Sequence, residues 1–133
     1  MDILIDNIKL SNSSKEQLIK MKKITGVENW NILCRWAFCL SLSEKEDPKL
    51  LKIPADSNVE MTWKTFAGEY SEFYYGLLMQ RAINTRIEIT KENMIKLLRI
   101  HISRGLSYLI ARRDISDIAS LLRLVKNTND KIL

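Results

Sequence analysis

The sequence predicts a mainly α-helical protein that opens with a strand-helix-helix unit of the ribbon-helix-helix kind, continues as further helices and assembles with copies of itself. Three observations predict this class. A short, imperfectly alternating run, "ILIDNIKL" (3–10), precedes an amphipathic segment that ends at Gly26. The next segment, "ENWNILCRWAFCLSL" (28–42), is apolar almost all round. After residue 59, three more segments carry helical spacing or cap residues.

Each element follows from local chemistry. In 3–10, Leu4, Ile8 and Leu10 fall on one face and Ile5, Asn7 and Lys9 on the other, with Asp6 breaking the apolar side. Ser13 followed by Glu16 fits a capping box, so the first helix is expected to start near Ser14. Leu18, Met21 and Ile24 form its expected buried stripe, and Gly26 supplies a left-handed stop. Lys15, Lys20, Lys22 and Lys23 lie on the other arc, with Glu16 as the only acid there.

The second helix, 29–42, has a single polar edge, Asn31 with Arg35. Trp30 and Trp36 lie nearly opposite each other, so at least one must face something beyond the first helix. Residues 43–58 hold both prolines and a charge cluster, and read as a loop with an apolar knot of Leu50, Leu51 and Ile53. From residue 59, Val59, Met61 and Trp63 alternate with Glu60, Thr62 and Lys64, as in a strand. An aromatic-rich helix follows over 69–82, with Tyr70, Phe73, Tyr74, Leu77 and Leu78 expected to be buried. Thr90 can cap a long helix to Ala111, and Asp114 a last one to Lys126.

The 133 residues fit one domain, divided as a strand-helix-helix unit (1–42), a loop (43–58) and a helical remainder (59–133). With 46% apolar and 28% charged residues, the composition is that of an ordinary globular protein. Lys and Arg number 21 against 16 Asp and Glu, giving a net charge of +5, which favours an anionic partner. No secretory signal or membrane span is expected, and Cys34 and Cys39 suit buried, reduced thiols in a cytoplasmic protein.

Little in the sequence points to catalysis. His101, the sole histidine, shares a helical face with Leu97, Leu98 and Gly105, and reads as a hydrogen-bonded core residue. Cys34 has no base near it in sequence, and one His with two badly spaced Cys cannot build a metal site. Glu69 and Glu72 are the one carboxylate pair to consider for a divalent ion, but acids are also expected in the first turn of a helix. The four glycines are scattered, so there is no phosphate loop, and no cofactor or metal is expected.

The lysines of the first helix are either a solvated face or a surface for phosphates. Arg35 must either meet an acid such as Asp6 or Glu28, or emerge at a subunit or ligand surface, because a buried unpaired guanidinium is costly. Arg112 and Arg113 close a helix and suit its C-terminal dipole. A lone strand has an unpaired edge, and two copies pairing their strands would repair it. By analogy with such ribbons, Ile5, Asn7 and Lys9 would face nucleic acid.

The sequence also resembles the DndE family of the bacterial DNA sulfur modification (phosphorothioation) system. The resemblance rests on "TG" at 25–26, "WNILCRWAFCLSL" at 30–42, "IPADSNVEMTWKTFAGEYSE" at 53–72 and "HISRGLSYL" at 101–109. It implies a helical homotetramer that binds double-stranded DNA, with a preference for nicked duplex. It also implies work alongside DndC, a sulfurtransferase-type protein, and DndD, an ATPase, with sulfur supplied by a cysteine desulfurase. No catalytic residues come with it. The expected function is a non-catalytic DNA-binding subunit whose DNA-binding residues are Lys15, Lys20, Lys22, Lys23, Lys9, Asn7 and Arg35. The competing readings are a metal-dependent nicking enzyme using Glu69 or Glu72, and a pure assembly factor that docks its basic face on an acidic protein.

Overall fold

The computed structural model of the chain describes residues 2–112 and 118–132. Strand β1 (Asn7–Lys9) leads to α1 (Asn12–Thr25) and α2 (Trp30–Leu42). After the loop come strand β2 (Glu60–Thr62), the short helix α3 (Trp63–Ala67), a 3₁₀ turn (Gly68–Tyr70) and α4 (Ser71–Asn84). Two helices complete the chain, α5 (Lys91–Ala111) and α6 (Ile118–Ile132). The mainly helical class is as expected.

β1 pairs antiparallel with β2 of the same chain, Asn7 opposite Thr62, Ile8 opposite Met61 and Lys9 opposite Glu60. Where the ribbon-helix-helix expectation has a lone strand, the chain itself supplies a hydrogen-bonding partner for β1 from residue 60 onward. Ile5 is buried rather than facing outward with Asn7 and Lys9. β2 is also shorter than its alternation implies. The Thr62 hydroxyl accepts the Thr65 N–H and starts a helix at Trp63.

α1 starts earlier than the expected capping box. Ser11, not Ser13, is the cap, its Oγ accepting the Ser14 N–H, while the Asn12 N–H goes to Asp56 Oδ1 at 2.8 Å. Glu16 therefore has no capping task. The buried stripe is Ser14, Leu18, Met21 and Thr25, and Ile24 is exposed. Thr25 can be buried because its hydroxyl donates to the Met21 carbonyl at 2.7 Å. Gly26 stops the helix at φ 75°, as expected.

α2 is the centre of the molecule. Its most extensive interface is with α5, and α6, α3 and α1 cover other sides. The enclosure that its apolar surface demands is thus supplied largely within the chain, by helices distant in sequence. At Gly105, α5 approaches so closely that a Cβ there would stand 1.8 Å from the Ala37 carbonyl oxygen. Trp30 and Trp36 remain half-buried.

α4 is rotated relative to expectation. Tyr75, Leu78 and Ala82 are buried, whereas Tyr70 is 65% and Phe73 48% exposed. Trp63 sets this phase: its Nε1 donates to Ser71 Oγ at 2.8 Å, and its ring meets Tyr75 edge-on. Thr90 caps α5 through the Asn93 N–H, as expected. The expected cap Asp114, with Arg113, lies outside the described residues.

Candidate nucleic-acid interface

Because α1 buries Ser14, Leu18, Met21 and Thr25, about 100° per residue places Lys20 and Lys23 on the opposite arc and Lys15 and Lys22 on a flank. Lys20, Lys22 and Lys23 are exposed. Among the described residues, no hydrogen bond or ion pair engages their ammonium groups; the ion pairs there use Arg81, Lys91 and Lys96 instead. Lys22 and Lys23 also sit in the last turn of α1, where positive charge suits the helix dipole. Lys15 differs: it is half-buried and its Nζ donates to Asn58 Oδ1 at 2.6 Å.

That bond is one of several that fasten the loop to the start of α1. The Ser57 N–H and hydroxyl both donate to the Leu10 carbonyl, at 3.2 and 2.7 Å, and Asp56 receives the Asn12 N–H. The loop therefore carries further exposed lysines, among them Lys49 and Lys52, on a stretch whose end is tied to the first turn of α1. Sequence reasoning missed them because Leu50, Leu51 and Ile53 read as an apolar knot. In the structure Leu50 and Leu51 are exposed and Ile53 is half-buried. The signal was the tetrapeptide "KLLK", cations bracketing apolar residues in a loop.

Asn7 and Lys9 are exposed on the ribbon, with Lys9 opposite Glu60. The structure thus does not gather all the expected site residues on α1. Arg35 lies elsewhere and meets neither Asp6 nor Glu28. Its Nε donates to the Phe66 carbonyl at 2.7 Å, and Nη2 reaches the Thr65 carbonyl at 3.4 Å. These are C-terminal carbonyls of α3, so the guanidinium caps that helix. Gly68, at φ 63°, leaves room for it: a Cβ there would stand 3.1 Å from Nη2.

The remaining chemistry-bearing groups are internal. His101 is fully buried, with Nδ1 2.8 Å from Ser41 Oγ. Burial, helped by the charges of Arg104 and Arg81, pushes its pKa down to about 3, so the ring is neutral at ordinary pH. Ser41 Oγ also accepts from Arg104 Nε at 2.7 Å. Burial pushes the Cys34 thiol up to about 12. It pushes Cys39 up to about 11, despite a hydrogen bond with Tyr74 and the charge of Arg35. Neither thiol supplies a thiolate near neutrality. Glu69 lies in the 3₁₀ turn and Glu72 in the first turn of α4, both exposed. Among the described residues, no group of three or more His, Cys, Asp or Glu is placed to hold a metal ion. Arg112 takes the C-cap position of α5. Among the described residues, no helix is long and apolar enough to cross a membrane.

No curated protein sequence matches the chain. Its fold is similar to the crystal structure of DndE from Escherichia coli B7A, described as involved in DNA phosphorothioation modification. The TM-score is 0.70 at 24% identity, over 81% of this chain and 99% of that one. The profile of the family described as DNA sulphur modification protein DndE matches residues 7–117, a span that includes α1, α2, the loop, α4 and α5. The chain belongs to the DndE family of DNA sulphur modification proteins.

Proposed function

We propose that this protein is a non-catalytic subunit of the DNA phosphorothioation machinery that holds duplex DNA, with a preference for nicked duplex, while partner subunits carry out the sulfur chemistry. The observation that carries this reading is the set Lys20, Lys22 and Lys23, exposed and without partners among the described residues, on a chain of the DndE family. A strongly hydrated ammonium on a flexible stem is suited to phosphate contact that ignores sequence. Lys15 on α1 and Lys9 and Asn7 on the ribbon are the further DNA contacts of this reading. Arg35 contributes through the fold, by capping α3.

The protein acts as a homotetramer in the cytoplasm, with DndC and DndD as its working partners. The exposed Phe73 on α4 and Tyr70 in the 3₁₀ turn before it support an association surface, since apolar side chains of that size left in water favour a protein partner. The lysines of α1 lie on a different helix, so assembly and DNA contact do not compete for one surface.

Fluorescence anisotropy of labelled duplex against protein, at several salt concentrations, tests this. Each phosphate contact contributes about 0.9 to the slope of log affinity against log salt. Changing Lys20, Lys22 and Lys23 to Glu should abolish binding at moderate salt while the far-ultraviolet circular dichroism stays unchanged. Changing them to Gln should lower the slope by roughly 0.9 for each lysine that touches a phosphate. An unaltered slope in the Gln variant would remove α1 from the interface.

A further inference from the structure

The loop between α2 and β2 is held at both ends and bare in the middle. At its start, Arg104 Nη1 donates to the Glu46 carbonyl at 2.7 Å and Arg81 pairs with Asp47 at 3.5 Å. At its end, Arg99 Nη2 donates to the Pro54 carbonyl at 2.6 Å, and Asp56, Ser57 and Asn58 bond to residues 10–15. Between these anchors the chain turns tightly, the Leu51 N–H closing on the Lys49 carbonyl at 2.9 Å, which puts Leu50 at the apex of a three-residue turn. Leu51 is 62% and Leu50 39% exposed. Lys49 and Lys52 bracket them, both exposed, and no acid lies between Asp47 and Asp56.

Such a tip has a physical oddity. Two leucines in water contribute little to folding, and a loop fastened this firmly could have tucked them in. Its two lysines suit an anionic surface, and its apex is apolar. Duplex DNA offers that combination: phosphates on the outside and stacked bases within reach of an apolar wedge. Forcing a wedge into an intact step requires both strands to yield. At a nick one backbone is already broken, so the step opens at lower cost, and the exposed base faces give the leucines an apolar seat.

We propose that Leu50 and Leu51 form a wedge that enters the base stack at a strand break, with Lys49 and Lys52 seated on the flanking phosphates. This rests on the reading of the chain as a duplex-binding subunit and gives that reading a structural source of nick preference. The wedge reads no base, because leucine offers only shape and apolar contact.

The test uses the full chain, one duplex sequence made intact and with a central nick, and 2-aminopurine beside the nick. The unaltered protein should bind nicked duplex more tightly and raise the 2-aminopurine fluorescence as the step unstacks. The double variant Leu50→Ser/Leu51→Ser should keep its affinity for intact duplex, lose the preference so that the two affinities agree, and give no fluorescence rise. Lys49→Gln/Lys52→Gln should weaken binding to both duplexes. The leucines are exposed, so the variants should melt like the parent. A preference or fluorescence rise that survives in the leucine variant overturns the wedge, as does an unaltered protein that binds both duplexes equally. An unaltered protein that binds neither duplex sinks the duplex-binding reading itself, a result distinct from both.

Discussion

Replacing Gly105 by Ala adds one methyl group at the tightest point between α2 and α5. The added carbon would stand 1.8 Å from the Ala37 carbonyl oxygen, 2.3 Å from its carbonyl carbon and 2.7 Å from its Cα. All three are backbone atoms of a buried helix, so no side chain can swing aside. Restoring ordinary contact requires the helices to part by about 1.5 Å or more. That separation would loosen Phe38, Leu98 and Ile102, all fully buried on these two helices. Overpacking of this kind costs on the order of 3 kcal/mol, against about 1 kcal/mol gained from alanine's better helix propensity. The net loss, about 2 kcal/mol or more, is a large share of a typical domain's stability. Urea unfolding followed by tryptophan fluorescence, at one fixed protein concentration, should show the midpoint falling by roughly 1 M. Gly76→Ala is the control. Gly76 lies inside α4 and its Cβ would meet nothing within 4 Å, so that variant should gain about 0.5–1 kcal/mol. A Gly105→Ala protein as stable as the parent would refute the close approach and with it the α2–α5 packing described here.

Two further outcomes test groups inside the fold. His101 has a folded pKa near 3 against an unfolded value near 6.5, so the unfolded state binds the extra proton between them. Stability linked to this group is complete above the unfolded value and is lost as pH falls through that window. From pH 7.5 to 5.5 the parent should lose about 1.4 kcal/mol more than His101→Asn, by urea titration at each pH; equal losses would show that the ring is not held neutral. Arg35→Met should lower stability by about 1–3 kcal/mol, through the uncapped Phe66 and Thr65 carbonyls, yet leave the salt slope of duplex binding unchanged. A reduced slope with unchanged stability would return Arg35 to the DNA surface.

The parts of the fold legible in the sequence were those fixed by local chemistry. Gly26 and Thr90 mark a helix end and a helix start by conformational preference and capping, and both do so in the structure. His101 as a hydrogen-bonded core residue followed from its apolar neighbours one turn away, though its partner Ser41, sixty positions back, did not. What escaped was whatever tertiary contacts decide. Ser11 displaced Ser13 as the cap of α1 because Asp56, across the loop, holds the adjoining Asn12 N–H. The phase of α4 was misjudged because Trp63 turns Tyr75 inward, and an aromatic cluster read by composition cannot say which ring is turned. β1 found its partner fifty residues away in a segment too short to announce its pairing. Of the candidate interface, the α1 lysines were legible as an arc. Arg35 was misplaced among the alternatives because carbonyls, unlike carboxylates, are present at every residue and leave no mark in a sequence.

The two kinds of cation divide the work of the molecule. Arg35, Arg81, Arg99 and Arg104 all turn toward the protein and donate to main-chain carbonyls, those of Thr65 and Phe66, Leu42, Pro54, and Ser41 with Glu46. α2 has no basic residue in its own last turn, and Arg81 and Arg104 supply the charge its C-terminus lacks. A planar guanidinium with donors in fixed directions can satisfy several carbonyls at once. Lys20, Lys22 and Lys23 of α1 and the lysines of the loop tip remain in water, where a mobile point charge can follow a phosphate backbone of varying shape. The net charge of +5 therefore understates the separation: four arginines are turned to main-chain carbonyls in holding the fold, while Lys20, Lys22, Lys23, Lys49 and Lys52 stand exposed for a partner. The fold should thus resist salt that dissolves the complex with DNA, because partly buried donors on carbonyls are poorly screened whereas solvated lysines on phosphates are screened within about 10 Å at 0.1 M.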